Sequence, residues 1–393
     1  MPYFDVFAPA LHDAPYSRYA QAREAGVLCQ GPHDLVVVTR HRDVSAALRN
    51  TGLGHGPATG PSRIFSFLGL DPPEHGPLRQ VAARCFSRAV IDALAPKIRA
   101  FVDDLIDSAL EKREIDLLTE FAYPLSLRVI CSLFGLPEQD QPWIRKQTPP
   151  IGRLLDPPYA ISDTDLAAAR QAAAGFVAYL CRQASGRRRV GGNDMLSTLV
   201  AQADAGQGLT RRDLIPMCAL LLMAGYETTA NIIANGALAL LSHPGQQAAA
   251  RALVRAGQLA PAAMDELIRY DSSIQVTFRT AQRQTAVAGT VLPPGSRVAL
   301  LIGSANRDPR VFTGPDRLDL TRSPNPHLAF GAGIHYCLGA PLARLEASLA
   351  LGALLSRTQQ IELTGTRPRH KDITAAIRGL EELPIALVPG RAA

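Results

Sequence analysis

The chain has 393 residues, 47% hydrophobic and 19% charged, a balance that excludes a disordered tail protein and leaves ample apolar material for a sizeable core. Its 41 basic residues outnumber 35 acidic ones, giving a net charge of +6. Only four of the basic residues are lysines, and no basic stripe interleaved with aromatic residues occurs, which argues against a nucleic-acid partner and weakly for an acidic protein partner.

The N-terminus, Met1-Pro2-Tyr3-Phe4-Asp5, lacks a basic start followed by an apolar core, so no leader or anchor is expected there. Residues 34–39 are short and β-branched and predict a strand, and 43–50 predict a helix ending before Thr51-Gly52. A Gly/Pro-rich loop is expected over 51–70. Apolar positions recur at helical spacing over 92–112 and again over 117–136, predicting two amphipathic helices. After Pro149-Pro150 and Pro157-Pro158 a further helix is expected over 163–183, closed by a solvated loop holding Arg187-Arg188-Arg189. The next helix should run from about 211 to 241 and stop before Pro244, with local irregularity at Pro216 and Gly225. Its apolar stretch, 214–226, is shorter than the roughly 18 residues that cross a bilayer. Shorter helices are predicted over 246–256 and 261–270. Strand signals follow at 275–280, 285–291 and 297–302, with a turn at Pro293-Pro294-Gly295. No internal repeat or low-complexity linker divides the chain, so residues 1–393 are expected to form one domain, mainly α with a small accessory β region.

Six cysteines, at 29, 85, 131, 181, 218 and 337, include no Cys-x-x-Cys pair, which leaves a disulfide scaffold or four-ligand zinc site without support. Cys337 stands apart. It lies in Phe330-Gly331-Ala332-Gly333-Ile334-His335-Tyr336-Cys337-Leu338-Gly339-Ala340, directly before a predicted helix opening at Pro341. Backbone N–H groups and the positive helix end would then face the sulfur and favour the thiolate that a metal requires. Gly331, Gly333 and Gly339 leave the backbone bare where a flat cofactor would approach. A lone cysteine before a helix is more often a small core residue, but this complete pattern, Phe-Gly-x-Gly-x-His-x-Cys-x-Gly, resembles the haem-binding loop of the cytochrome P450 family. The resemblance implies the cytochrome P450 fold, haem b (iron-protoporphyrin IX) as cofactor and Cys337 as its iron ligand. A thiolate in that place pushes electron density onto iron and favours O–O cleavage.

Further segments carry the same resemblance in the family's order. Glu266 and Arg269 lie three apart on one helical face and match the family's Glu-x-x-Arg pair. Phe312-Thr313-Gly314-Pro315-Asp316-Arg317 resembles the segment whose arginine, Arg317, joins that pair in a structural network. Ala224-Gly225-Tyr226-Glu227-Thr228-Thr229 resembles the oxygen-activation motif, with Glu227 where many relatives carry Asp. Thr228 is expected to hydrogen-bond the Ala224 carbonyl and widen the helix, and Glu227 with Thr228 supplies the acid and hydroxyl that proton delivery requires. The haem carboxylates call for cationic or donor groups, which by resemblance are His75 and Arg79, four apart on one face, together with Arg279 and His335. Phe330, Gly331, Gly339 and Ala224 complete the expected cofactor contacts. Asn306-Arg307-Asp308-Pro309 and Arg378-Gly379-Leu380 also match, so the resemblance spans about 36–387.

The implied activity is monooxygenation, one atom of O2 entering the substrate and the other leaving as water. Electrons are expected from a separate ferredoxin and ferredoxin reductase, with Arg84, Arg88 and Arg344 as contacts. Leu220, Met223, Ile274, Val276 and Ile377, with parts of 51–70 and 145–170, are expected to face a largely hydrophobic small molecule of polyketide, macrolide or terpenoid type in secondary metabolism. A cytoplasmic setting is expected. The alternatives are a peroxide-driven hydroxylase, which would have little use for Glu227-Thr228, and epoxidation, desaturation or C–C coupling on the same machinery. A haem-thiolate sensor or carrier and a cofactor-free helical scaffold are the non-enzymatic ones.

Overall fold

The computed structural model describes residues 1–55, 66–365, 368–371 and 374–390. Part of the loop expected over 51–70 therefore lies outside the described residues. The remainder of that segment holds a two-residue strand, Leu53–Gly54, and one helical turn after 65.

The centre is the helix Arg211–Leu241, whose bounds are those the sequence predicts. Its start is fixed by Thr210, which accepts a hydrogen bond from the Asp213 N–H at 3.3 Å while its own hydroxyl donates to the Asp213 carboxylate. By length and composition this helix passes for a membrane span, yet 83% of its most apolar window is buried inside the protein, as a core helix requires. It packs against Tyr123–Phe134, Asp163–Val190 and Ala340–Arg357, and together they bury one continuous apolar cluster. Each fully buried leucine, isoleucine or phenylalanine there contributes about 1.5–3 kcal/mol.

The irregularity expected at Pro216 and Gly225 is absent: the helix runs unbroken through both. Pro216 forfeits only the bond to the carbonyl of Arg212, in the exposed first turn where water can serve it. Gly225 has a different use. A Cβ there would stand 2.6 Å from Ile130 Cδ1, so the bare backbone admits the neighbouring helix.

Other expectations need amendment. The segment 117–136 divides into one wide π turn, Leu118–Ala122, and the helix Tyr123–Phe134. Arg187, Arg188 and Arg189 are not in a loop but form the last turn of Asp163–Val190, where cations complement the helix end. Arg187 pairs with Asp194 and Arg188 with Asp204, both at 2.9 Å. The helix expected after Pro149-Pro150 and Pro157-Pro158 is present as Asp163–Val190, but Pro149 and Pro150 also lie in the last turn of another, Gln141–Gly152, that is not expected from the sequence. Pro149 cannot donate to the Arg145 carbonyl, and the Tyr226 hydroxyl donates there instead at 3.5 Å.

The β structure is small and peripheral. Five strands lie in the order Leu28–Gln30, Val36–Val38, Arg297–Leu301, Val276–Ala281 and Leu53–Gly54. Val298 opposes Val36 on one side and Arg279 on the other, which sets Arg279 in the sheet's interior. A second sheet joins Thr358–Leu363, Pro384–Pro389 and Glu114–Asp116. The single strand expected over 285–291 is a hairpin, Thr285–Val287 with Thr290–Leu292, turned by Ala288 and Gly289 at φ 49° and 80°. Another hairpin, Val254–Arg255 with Gln258–Leu259, meets the helix Ala340–Arg357 so closely that a Cβ on Gly352 would lie 2.3 Å from the Gly257 carbonyl oxygen.

Candidate active site

Cys337 is held by a chain of hydrogen bonds that begins in the helix Pro261–Tyr270. Arg269 grips Glu266 through two bonds, Nε at 2.7 Å and a terminal nitrogen at 2.9 Å, with both side chains fully buried. The other arm of Arg269 donates to the carbonyls of Asn306 and Pro315 at 2.8 and 2.9 Å. Asn306 in turn accepts from the Leu328 N–H at 2.7 Å, and two residues later the Phe330 carbonyl accepts from the Cys337 N–H at 2.9 Å. Spacing in sequence thus becomes a rigid route from a buried ion pair to the sulfur's backbone.

The third member of that ion pair is Arg322, not Arg317. Arg322 Nε lies 3.2 and 3.1 Å from the two Glu266 oxygens, and its remaining nitrogens donate to the carbonyls of Thr313, Gly314 and Arg317. The Arg317 side chain is 79% exposed and reaches only Asp319, at 3.4 Å, so this residue joins the network through its carbonyl alone.

The cysteine loop turns at Gly333, where φ is 71° and a Cβ would lie 2.6 Å from the Leu48 carbonyl. Beyond it opens a cavity of about 340 Å³. Phe330, Gly331, Cys337 and Gly339 form one wall, and Leu220, Met223, Ala224, Glu227 and Thr228 of the long helix form the other. Ile274, Val276 and Ile377 close the side, and Thr148, Gly152 and Leu155 come from the expected 145–170 region. Burial pushes the Cys337 thiol up, against the pull of the Gly339 and Ala340 N–H groups and of Arg79 and Arg344. The Gly339 and Ala340 N–H groups thus act on the sulfur in the direction the sequence implies, while burial opposes them. A bound metal cation would supply the missing stabilisation.

Arg79, Arg279 and His335 line the cavity beside the cysteine loop. His75 opens the helix His75–Cys85 and stands one layer back, its ring 4.4 Å from that of His335. His55, which sequence reasoning missed, flanks the same ring at 4.8 Å; nothing in its local pattern marks it. Nε2 of His55, Nε2 of His75 and Nδ1 of His335 are buried without hydrogen-bond partners. Arg279 is buried with only Thr277 Oγ1 and the Phe278 carbonyl as acceptors, at 2.9 and 2.7 Å, and no carboxylate among the described residues reaches it within ion-pair distance. Burial, partly offset by Asp71, pulls Arg279 down to about 10, and burial with Arg279, His75 and Arg79 pulls His335 down to about 3. So many unserved donors at one edge of an apolar cavity are costly unless an anion arrives. The two carboxylates of haem fit that need. The space above the loop fits its ring, for a Cβ on Gly331 would meet nothing nearer than the His335 carbonyl at 3.9 Å.

On the opposite wall Thr228 donates to the Ala224 carbonyl at 2.9 Å. Glu227 is 6% exposed, and burial raises its pKa while Lys371 opposes the rise. Glu346 also reaches the cavity, one oxygen unpartnered, and was not foreseen as a site residue. Of the three arginines expected to meet a redox partner, Arg84 and Arg88 are exposed, whereas Arg344 is half-buried and committed to Asp265 at 2.7 Å.

Comparisons with known proteins place the chain in a family. The family model described as Cytochrome P450 matches residues 165–386. Cytochrome P450 107B1 of Saccharopolyspora erythraea is 34% identical over 97% of this chain and 96% of its own. Cytochrome P450 monooxygenase PikC of Streptomyces venezuelae is 39% identical over 84% of this chain and 77% of its own. Among solved structures, the Bacillus subtilis bacillaene polyketide synthase cytochrome P450 PksS superposes with a TM-score of 0.88 at 30% identity, covering 98% of this chain and all of that one. With matches along nearly its whole length, a helical body of the same fold and a cysteine loop facing a donor-rimmed cavity, the chain belongs to the cytochrome P450 family of haem-thiolate monooxygenases.

Proposed function

We propose that this monooxygenase inserts one oxygen atom from O2 into a largely hydrophobic natural product, with Cys337 as iron ligand and haem b as cofactor. The observation that carries the reading is the placement of Cys337 across one cavity from the buried acid Glu227 and the hydroxyl of Thr228. Arg79, Arg279 and His335 would hold the haem carboxylates, with His75 supporting His335 from behind. Haem bound there supplies reductive activation of dioxygen, one atom going to substrate and one to water.

The residues of the chain do the rest. Glu227 holds a proton source beside the cavity, and Thr228, anchored on the Ala224 carbonyl, presents its oxygen as the next acceptor and donor in line. Leu220, Met223, Ile274, Val276 and Ile377 exclude water from the substrate and orient it by shape, with Ser273 and Thr277 as the few polar points nearby. Electrons come from a separate ferredoxin and its reductase, docking on the basic face around Arg84 and Arg88 in a cytoplasmic setting. The polyketide assignment of the solved relative supports a secondary-metabolic substrate.

Haem-loaded protein should give the red-shifted Soret band of a thiolate-ligated ferrous carbonyl adduct, and Cys337→Ser should lose it. An unchanged spectrum in that variant refutes the ligand assignment. Thr228→Ala should divert reducing equivalents from product to peroxide, and unaltered coupling refutes the relay. Titrating macrolide, terpenoid and fatty-acid scaffolds against the ferric spin state identifies the substrate class.

A further inference from the structure

Glu227 stands between two cavities. One is the large chamber already described; the other, of about 10 Å³, lies behind it and is lined by Asn231, Lys371, Thr374 and Gly379. That volume is at the lower limit for a single water molecule. Its walls carry an anomaly: Asn231 is wholly buried, and neither its amide nitrogen nor its amide oxygen has a hydrogen-bond partner. A buried amide with both ends unserved is costly, so the contents of the cavity matter. Gly379 presses close, since a Cβ there would lie 2.3 Å from Asn231 Oδ1, and this contact fixes the amide against the cavity. Thr374 is already engaged with Asp156 and the Ala376 N–H, leaving Glu227, Asn231 and Lys371 as three polar groups, the number that a buried water usually engages. Lys371 is half-buried, with one side toward solvent and its ammonium donating to the Tyr123 hydroxyl.

We propose that the small cavity holds one water that joins Lys371 to Glu227, with Asn231 orienting it, so that Lys371 is the solvent-side positioning residue of the proton supply. The inference rests on the reading of Glu227 as proton source. In the step itself an N–H bond of Lys371 breaks as the water oxygen takes the proton, an O–H bond of the water breaks as one forms on a Glu227 carboxylate oxygen, and solvent returns a proton to the amine. One proton moves inward and no electrons change hands. The titratable and charged groups facing the pair are Tyr123, Tyr226, Arg145, Asp116 and Glu381, and burial lowers the pKa of Lys371 while Glu227 raises it. An amine eased toward release is suited to passing its proton on.

The test follows the infrared carbonyl band of protonated Glu227 in the holoenzyme at mildly acidic pH, assigned by its loss in Glu227→Gln, after rapid mixing into deuterium oxide. Lys371→Met should slow the isotope shift of that band at least about tenfold and move the Glu227 titration upward, whereas Lys371→Arg, which keeps the charge but does not release a proton, should restore the titration and leave the exchange slow. Exchange at the wild-type rate in Lys371→Met overturns the proposal, as does wild-type exchange in Lys371→Arg, which would assign the effect to charge alone and not to proton transfer from the amine. Loss of the thiolate Soret signature in the unmodified enzyme would instead refute the functional reading, so the two failures are distinct.

Discussion

Replacing Arg322 by alanine should destabilise the haem-loaded protein far more than the same change at Arg317. Arg322 is 9% exposed and supplies Nε to both oxygens of a Glu266 carboxylate that is wholly buried. Its loss leaves Glu266 with Arg269, the Asp319 N–H and Asn325 Nδ2, so the acid keeps part of its compensation. Removing one partner of a buried ion pair costs about 3–5 kcal/mol, and the surviving donors place this case near about 3. For a chain of 393 residues that corresponds to a fall in Tm of about 4 °C, from about 2 cal/mol/K of unfolding entropy per residue. Arg317→Ala removes only an exposed contact to Asp319 and should shift Tm by less than about 1 °C. Thermal unfolding followed together by far-ultraviolet circular dichroism and the Soret band measures both variants. Equal losses, or a larger one for Arg317→Ala, would refute the assignment of the third partner.

Glu346→Gln should reveal a pH-dependent gain in stability. Burial holds the Glu346 carboxyl well above its ordinary value of 4.5, so the folded chain binds this proton more tightly than the unfolded one. Stability from this group is full below the unfolded value and is lost as pH rises past it. The variant should match wild type in acid and exceed it increasingly toward neutrality, and a pH-independent difference in Tm contradicts the argument. Gly352→Ala drives a Cβ into the Gly257 backbone and should cost about 3 kcal/mol, and Gly225→Ala, whose Cβ would lie 2.6 and 2.9 Å from Cδ1 and Cγ1 of the buried Ile130, should cost about 1–2 kcal/mol in urea denaturation, better helix propensity offsetting part of the clash. Tyr226→Phe strips the Arg145 carbonyl of its donor and should cost about 1 kcal/mol by the same measurement.

What the sequence discloses follows the range of the interactions involved. The bounds of the helix 211–241 were legible because the Thr210 cap and the apolar run are local. The Glu266–Arg269 pair was legible because three residues of helix place both on one face. Arg322 was hidden because irregular chain, not helical period, carries it back to Glu266, and Arg317, five residues earlier, satisfies the same pattern on paper. The helix Gln141–Gly152 was hidden because two prolines stand in its last turn, and the carbonyl that Pro149 leaves unserved finds its donor in a hydroxyl 81 positions away. The turn at Ala288-Gly289 escaped notice since alanine seldom adopts positive φ. In the site, the cysteine loop and the residues facing it could be named from pattern, whereas His55, Asn231 and Lys371 reach it only through tertiary folding, and the thiol's upward shift reflects surroundings that no local motif records.

The contact between Gly352 and Gly257 joins main chain to main chain, with no side chain between them to trim or enlarge. The element that follows the sulfur is consequently anchored in a way that point changes cannot gradually loosen. Thr148 and Leu155, across the chamber, project ordinary side chains that can be exchanged singly. Drift in what this catalyst accepts as cargo is therefore free to accumulate on one wall while the wall built by the cysteine loop stays put, which separates the inheritance of its chemistry from the inheritance of its selectivity.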